Sequence, residues 1–315
     1  MKSIFESWEI KDLIGKGNFG AVYEIEKDGE KEAMKVVNIY PSNTDFNEIL
    51  GVDNHGELEE KTSLVMKEID MLYHLKGNTH IVNYIDHYVD KKEDVYSLYL
   101  KMEYLQRLDN YYGKEIESDK ALSITYDILD ALTICEDNNI VHGDIKPQNI
   151  MVDNHGNNKL TDFGISKIMN QEKISNYTPA YAAPEIITDG RYTKQSDLYS
   201  LGLVIYQIYN NNLLPFMKNN FEKKDTSKII ERRLNKDVPA PTNGSKELNE
   251  FLSKALNRNP EERFQSAKEM KDELQRLDNN SLLPKVMVAL PVMMAVAIKM
   301  NSFSVFGAEL AKEGV

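Results

Sequence analysis

The chain has 315 residues, 41% of them hydrophobic and 28% charged, with a net charge of −12. This profile excludes a disordered or fibrous chain and leaves room for one large two-lobed unit or two ordinary domains. The acidic balance argues against nucleic acid as the main partner, since phosphate binding needs a basic footprint, and the single cysteine, Cys135, excludes an internal disulfide.

Six scattered histidines and no CxxC give no zinc signal. Cys135 lies in an apolar-periodic stretch, which predicts a packed thiol over a reactive one. Residues Met1 to Ser7 lack the apolar core of a signal peptide, so the expected compartment is the cytoplasm.

In chain order, Glu9 to Leu13, Ala21 to Glu26 and Glu32 to Val37 read as short strands separated by glycine turns such as Asp28-Gly29. Residues 40–60 are polar and read as an irregular surface insertion. Leu64, Val65, Glu68, Ile69, Leu72 and Leu75 recur at helical spacing and predict a helix over Thr62 to Leu75. Two more strands are expected at Ile81 to His87 and Val95 to Glu103. Helices then follow at Ala121 to Asp137, Asp197 to Tyr209, Thr226 to Leu234, Lys246 to Ala255 and Ser266 to Leu277. A strand-rich part before a larger helical part predicts an α+β fold with a cleft between the two.

Gly15-Lys16-Gly17-Asn18-Phe19-Gly20-Ala21-Val22 has the form GxGxxGxV. By itself this is weak evidence, shared with dinucleotide-binding turns. Those turns lead from a strand into a helix, whereas here a strand continues after the glycines, so they cap a hairpin. Such a flap lets backbone amides approach phosphates, because glycine lacks a blocking side chain. Ala33-Met34-Lys35 on the next strand adds a lysine that reads as a point charge for a nucleotide, with Glu68 on the following helix as its resting partner.

Val141-His142-Gly143-Asp144-Ile145-Lys146-Pro147-Gln148-Asn149 is more specific. Asp144 is placed to orient or deprotonate an attacking hydroxyl, and Lys146 to offset charge on a phosphoryl group in transfer. Asn149 offers an amide oxygen to magnesium, and Asp162, in Asp162-Phe163-Gly164, is a second ligand.

Together these motifs resemble the eukaryotic-like (Hanks-type) serine/threonine protein kinases over about Trp8 to Leu277. The resemblance implies a bilobal kinase fold: a five-stranded antiparallel sheet with one helix over about residues 8–105, then a mostly helical lobe over about 106–279. It implies ATP and Mg2+, with Mn2+ as a candidate substitute, and protein acceptors carrying Ser or Thr, this chain included. Ile14 to Val22 would be the ATP flap, Met102 the gatekeeper, Glu103 to Leu105 the adenine hinge, and Met151 the floor. Asp144 would be the catalytic base, with Asn149 and Asp162 as metal ligands. Ala183-Pro184-Glu185 resembles the motif closing the activation segment, with Arg263 as partner of Glu185. Asp197 to Gly202 resembles the helix that anchors the catalytic loop, and Leu72, Phe163 and His142 a stacked spine. Thr178 resembles the threonine that touches the catalytic aspartate and lysine; with Lys146 it points to Ser/Thr acceptors. Details such as Asn210 to Phe216 and Glu231 to Leu234 are similar to kinases of low-GC Gram-positive bacteria.

One departure stands out. His142-Gly143-Asp144 replaces the family's His-Arg-Asp, removing the arginine that clamps an activation-segment phosphate. Phosphorylation at Ser175 or Tyr177 is therefore expected to matter little. His-Gly-Asp also occurs in aminoglycoside-type phosphotransferases of the same fold, the main rival reading. Lys146-Pro147, Thr178, Arg263 and the Ala183-Pro184-Glu185 segment favour the protein kinases. A pseudokinase scaffold is disfavoured because Lys35, Glu68, Asp144, Asn149 and Asp162 are all present.

The resemblance stops near Leu277. Residues 280–315 form an apolar tail in which the 13 residues from Val286 to Ile298 carry no charge and fall short of the ~20 needed to cross a bilayer. An extension to Ala308 makes 286–308 a candidate membrane segment, set against a packed or interfacial tail. Oligomeric state is not readable.

Overall fold

The computed structural model describes residues 7–17, 20–40, 54–92, 95–163, 179–217 and 226–290. Strands β1 (Glu9–Gly17), β2 (Gly20–Lys27), β3 (Glu30–Ile39), β4 (Tyr84–Lys91) and β5 (Tyr96–Glu103) form an antiparallel five-stranded sheet in the order β1-β2-β3-β5-β4. Helix α1 (Asn54–His74) packs on it through Leu58, Val65, Ile69 and Leu72, all buried at helical spacing. The helix starts earlier than the sequence pattern suggests. Leu58 extends its apolar stripe into what reads as an insertion, so residues 54–60 are helical, while 41–53 lie outside the described residues.

The second lobe begins after Leu105 with β6 (Gln106–Arg107), α2 (Leu108–Tyr112), β7 (Glu115–Glu117) and α3 (Ser118–Asp137). The run Val141 to Asn149 leads through a 3-10 turn, Pro147–Asn149, into β8 (Ile150–Val152) and β9 (Asn158–Leu160), which with β6 make a three-stranded sheet. Helices α4 (Pro184–Asp189), α5 (Lys194–Tyr209), α6 (Thr226–Asn235), α7 (Lys246–Ala255) and α8 (Ala267–Asn279) complete the lobe. Their ends follow local chemistry. Thr193 and Ser196 form a reciprocal capping box at α5, Ser245 and Ser266 cap α7 and α8, and Gly190 takes the left-handed conformation (φ 65°) after α4. Cys135 is buried on α3, and burial pushes its thiol pKa up, as a packed thiol requires.

Besides the hinge, backbone hydrogen bonds tie the lobes together. Ile81 forms an isolated parallel bridge with Leu160; Val82 N–H donates to Leu160 O (3.0 Å) and Leu160 N–H to His80 O (2.9 Å). This pairing takes up the residues expected to open β4, which therefore starts at Tyr84.

Of the two expectations for the tail, the described part follows the packed one. Residues 282–290 return across the helical lobe, and β10 (Met287–Ala289) pairs antiparallel with β7: Met287 with Glu117, Val288 with Ile116, Ala289 with Glu115. Val288 and Leu290 are buried, Met287 is exposed, and Leu290 N–H donates to Lys114 O (2.8 Å). The range read as a candidate membrane segment thus begins as a docked strap; residues 291–315 lie outside the described residues. Among the described residues, no helix is long and apolar enough to cross a membrane.

Candidate functional site

Sheet register sets the upper wall of the cleft. Val22 pairs with Lys35 and Lys35 with Leu100; Ala33 pairs with Met102. Directly paired residues share a face, and residues two apart along a strand do too, so Val22, Ala33, Lys35, Leu100 and Met102 lie together. Ala33 and Met102 are buried and Ile14 and Val22 half-buried. Ala21, paired with Lys16 and Val36, belongs to the opposite face, so Ala21 and Lys16 could meet a ligand only through their backbone. Asn18 and Phe19 lie outside the described residues.

The glycines differ in what they do. A Cβ on Gly20 (φ 147°) would sit 1.8 Å from Val36 O, so this glycine lets the hairpin lie on β3. A Cβ on Gly15 would make only ordinary contact with Val22 at 3.6 Å. Protein packing therefore does not require glycine there.

At the hinge, Met102 and Leu105 are buried. The Glu103 carboxylate accepts from Asn83 N–H (2.7 Å) and pairs with the buried Lys159 of β9 (2.9 Å), while Glu103 N–H donates to Asn83 O (3.1 Å). Glu103 thus turns its side chain away from the cleft, and its carbonyl is what it can offer a base. Met151 is half-buried between the buried Ile150 and Val152, so it points out of the helical lobe on the opposite face of β8.

The run Val141 to Asn149 is held from below by α5. The buried Asp197 carboxylate accepts from His142 N–H (2.7 Å) and Gly143 N–H (2.5 Å). His142 is fully buried; its Nδ1 accepts from Asp144 N–H (3.2 Å), which leaves Nε2–H to donate to Thr161 O (3.0 Å). Gly143 sits at φ 71°, a left-handed conformation that is strained for any residue with a Cβ. The Gly143 departure therefore relaxes the backbone as well as removing a cation.

Asp144 Oδ2 receives Lys146 Nζ at 2.6 Å and Asn149 Nδ2 at 3.1 Å, and Asn149 Nδ2 also donates to Asp144 O (2.8 Å). Both Asn149 bonds use its NH2 group, so its Oδ1 is the atom left for a cation. Thr161 N–H donates to Asn149 O (2.9 Å), which brings Asp162 alongside. Asp162 is at φ 61°, and its Oδ1 lies 2.7 Å from Lys35 Nζ. Phe163 is buried with its ring edge-on to His142 at 4.7 Å. Lys35 holds the Asp162 carboxyl below the usual range, outweighing desolvation, with Lys146 adding to the effect. One ionised carboxylate and one amide oxygen suit a hard cation that keeps water and phosphate ligands. No cluster of three or more His, Cys, Asp or Glu fit for a metal occurs among the described residues.

Glu68 is carried by α1, but its side chain lies outside the described part, as does all of Thr178, Ser175 and Tyr177; the expected Lys35–Glu68 pair lies there too. The Glu185–Arg263 pair is present, bidentate at 2.8 Å on both arms and fully enclosed. Burial pushes the Glu185 carboxyl up, but Arg263 and the Ser196 hydroxyl (2.6 Å) outweigh it and hold the carboxyl below its usual value. Sequence reasoning missed Asn83, Lys159 and Arg233. Lys159 sits among the polar residues Asn157, Asn158 and Thr161, so nothing local marks it as buried.

These residues face one another across a cleft between the sheet-bearing lobe and the helical lobe. The chain belongs to the protein kinase family: the family model "Protein kinase domain" matches residues 8–274. It is 29% identical over 273 residues to a probable serine/threonine-protein kinase, nek2, of Dictyostelium discoideum, covering 82% of this chain and 60% of the relative. It is 31% identical over 271 residues to mitogen-activated protein kinase kinase kinase 1 of Arabidopsis thaliana, covering 83% and 41%. It is also 28% identical over 296 residues to a probable serine/threonine-protein kinase of Clostridium perfringens, covering 88% and 39%. The chain thus spans three-fifths or less of the length of these relatives.

Proposed function

We propose that this chain transfers the γ-phosphoryl group of ATP to serine or threonine hydroxyls of proteins, itself included. The observation that carries the reading is the cluster in which Lys35, Asp162, Asn149, Asp144 and Lys146 converge from both lobes. Asp144, steadied through Oδ2, orients the acceptor hydroxyl and takes its proton as the oxygen attacks phosphorus and the bond to the ADP oxygen breaks. Lys146 offsets charge on the moving phosphoryl group, and Lys35 holds the nucleotide phosphates. Asn149 Oδ1 and Asp162 would hold Mg2+, or Mn2+ in its place, which neutralises phosphate charge when bound. The adenine would lie between Val22 and Ala33 above and Met151 below, against the backbone of Glu103 and Leu105. Thr178 would complete the acceptor side.

The enclosed Glu185–Arg263 pair supports a protein acceptor over a small molecule, since it braces the segment that the sequence resemblance links to peptide docking. The relatives named as serine/threonine-protein kinases agree. The test is label transfer from γ-labelled ATP with magnesium, offering a general protein substrate, the chain itself and a panel of aminoglycosides. Label on Ser or Thr that is lost in Asp144→Asn supports the proposal. Label on an aminoglycoside alone, or none despite ATP binding, overturns it.

A further inference from the structure

Two arginines are fully enclosed in the helical lobe, and they are satisfied differently. Arg263 meets the Glu185 carboxylate and three backbone carbonyls. Arg233, on α6 and 2% exposed, donates Nη1–H to Ala180 O (2.8 Å) and Nη2–H to Pro179 O (2.9 Å). Its Nε is buried with no acceptor, and no carboxylate among the described residues pairs with it. The phenols beside it, Tyr181 and Tyr199, have pKa values raised by burial and supply no negative charge near neutral pH. Burying a cation without a counter-ion is among the least favourable arrangements in a protein interior, and an apolar side chain would fill this space more cheaply.

What the cation does is specific. The next carbonyl, of Tyr181, accepts from Ser200 Oγ (2.9 Å), and the Tyr181 hydroxyl donates to Gln207 (2.8 Å). Three consecutive carbonyls, of residues 179, 180 and 181, are therefore pinned from α6 and α5. The second of these helices is the one whose Asp197 holds the catalytic loop. The pinned stretch follows directly on Thr178. We infer that Arg233 is a positioning residue for the protein acceptor, fixing Pro179 and Ala180 from behind so that the peptide meets a preformed surface in register with Asp144. A guanidinium is needed because its planar fork reaches two adjacent carbonyls at once, which neither lysine nor an apolar side chain can do.

The inference rests on the protein-kinase reading, and the experiment separates the two. In the full chain, Arg233→Met and Arg233→Lys are compared with the parent for the KM of a serine peptide, the KM of ATP and the melting midpoint. The expected result is a rise of about tenfold in peptide KM for Arg233→Met, a smaller rise for Arg233→Lys, and an ATP KM within about twofold of the parent. If Arg233→Met does not fold, Arg233→Lys decides by the same criteria. A folded variant with unchanged peptide KM, or with both KM values rising together, overturns the inference. A parent that labels no peptide at all overturns the proposed function instead.

Discussion

Lys35 Nζ lies 2.7 Å from Asp162 Oδ1, so one ion pair crosses from the third strand of the sheet to the residue that leads out of β9. The lysine favours the ionised carboxylate, so the Asp162 pKa is depressed in the folded state. The stabilisation is therefore present above the ordinary aspartate pKa of ~3.9 and is lost as pH falls through the depressed value. Asp162→Asn should lower the melting midpoint by a constant amount from pH 7 to about pH 4, the gap closing below that. A gap that instead widens in acid would contradict the pair's role. Because the Asp162 side chain is about half exposed, high salt should shrink the gap.

Asp144 is held by Lys146 and Asn149 without being enclosed. Asp144→Asn should therefore keep the fold and ATP affinity while lowering kcat by about 10²–10⁴. Titration with a fluorescent ATP analogue beside steady-state kinetics checks this, and loss of nucleotide binding would reject it.

The Glu185–Arg263 pair is enclosed on both sides. Glu185→Ala would leave Arg263 enclosed without its counter-ion, at a loss of roughly 3–5 kcal/mol. Urea denaturation measures it directly. A loss under ~1 kcal/mol, the range of surface pairs, would mean that solvent reaches the site.

Gly20 and Gly15 should part company. Gly20→Ala drives a methyl into Val36 O and should lower the melting midpoint, whereas Gly15→Ala should leave stability near the parent and raise the KM for ATP. Equal melting midpoints for the two variants would remove the distinction drawn between them.

Ending the chain at Lys285 removes Val288 and Leu290 from the lobe and uncovers Ile116. Each buried aliphatic side chain is worth about 1.5–3 kcal/mol, so the midpoint should fall by roughly 5–10 °C relative to a chain ending at Leu290. Identical melts would show that the strap adds nothing.

Much of this was legible in advance, and the reasons differ by residue. Lys35, Asp144, Asn149 and Asp162 stand out because their chemistry is local: each sits in a short motif whose neighbours set its geometry. The alternating burial of Tyr96 to Glu103 and the stripe from Val65 to Leu72 declare their elements in the same way. The strap did not declare itself. Val286 to Leu290 is a continuous apolar run, and composition alone cannot tell a strand covered on the lobe from a segment in lipid. Leu58 was lost among polar neighbours. Lys159 and Arg233 take their meaning from partners 56 and 53 residues away, Glu103 and Ala180, which no local pattern can announce.

The strap also sets a mechanical path. Whatever continues past Leu290 is attached at Lys114, beside β7, and not at the end of α8, the last helix among the described residues. A pull on that continuation would be carried by the β10–β7 ladder and into the turn between α2 and α3. It would load a short strand pair before it loaded α5, whose Asp197 holds His142 and Gly143.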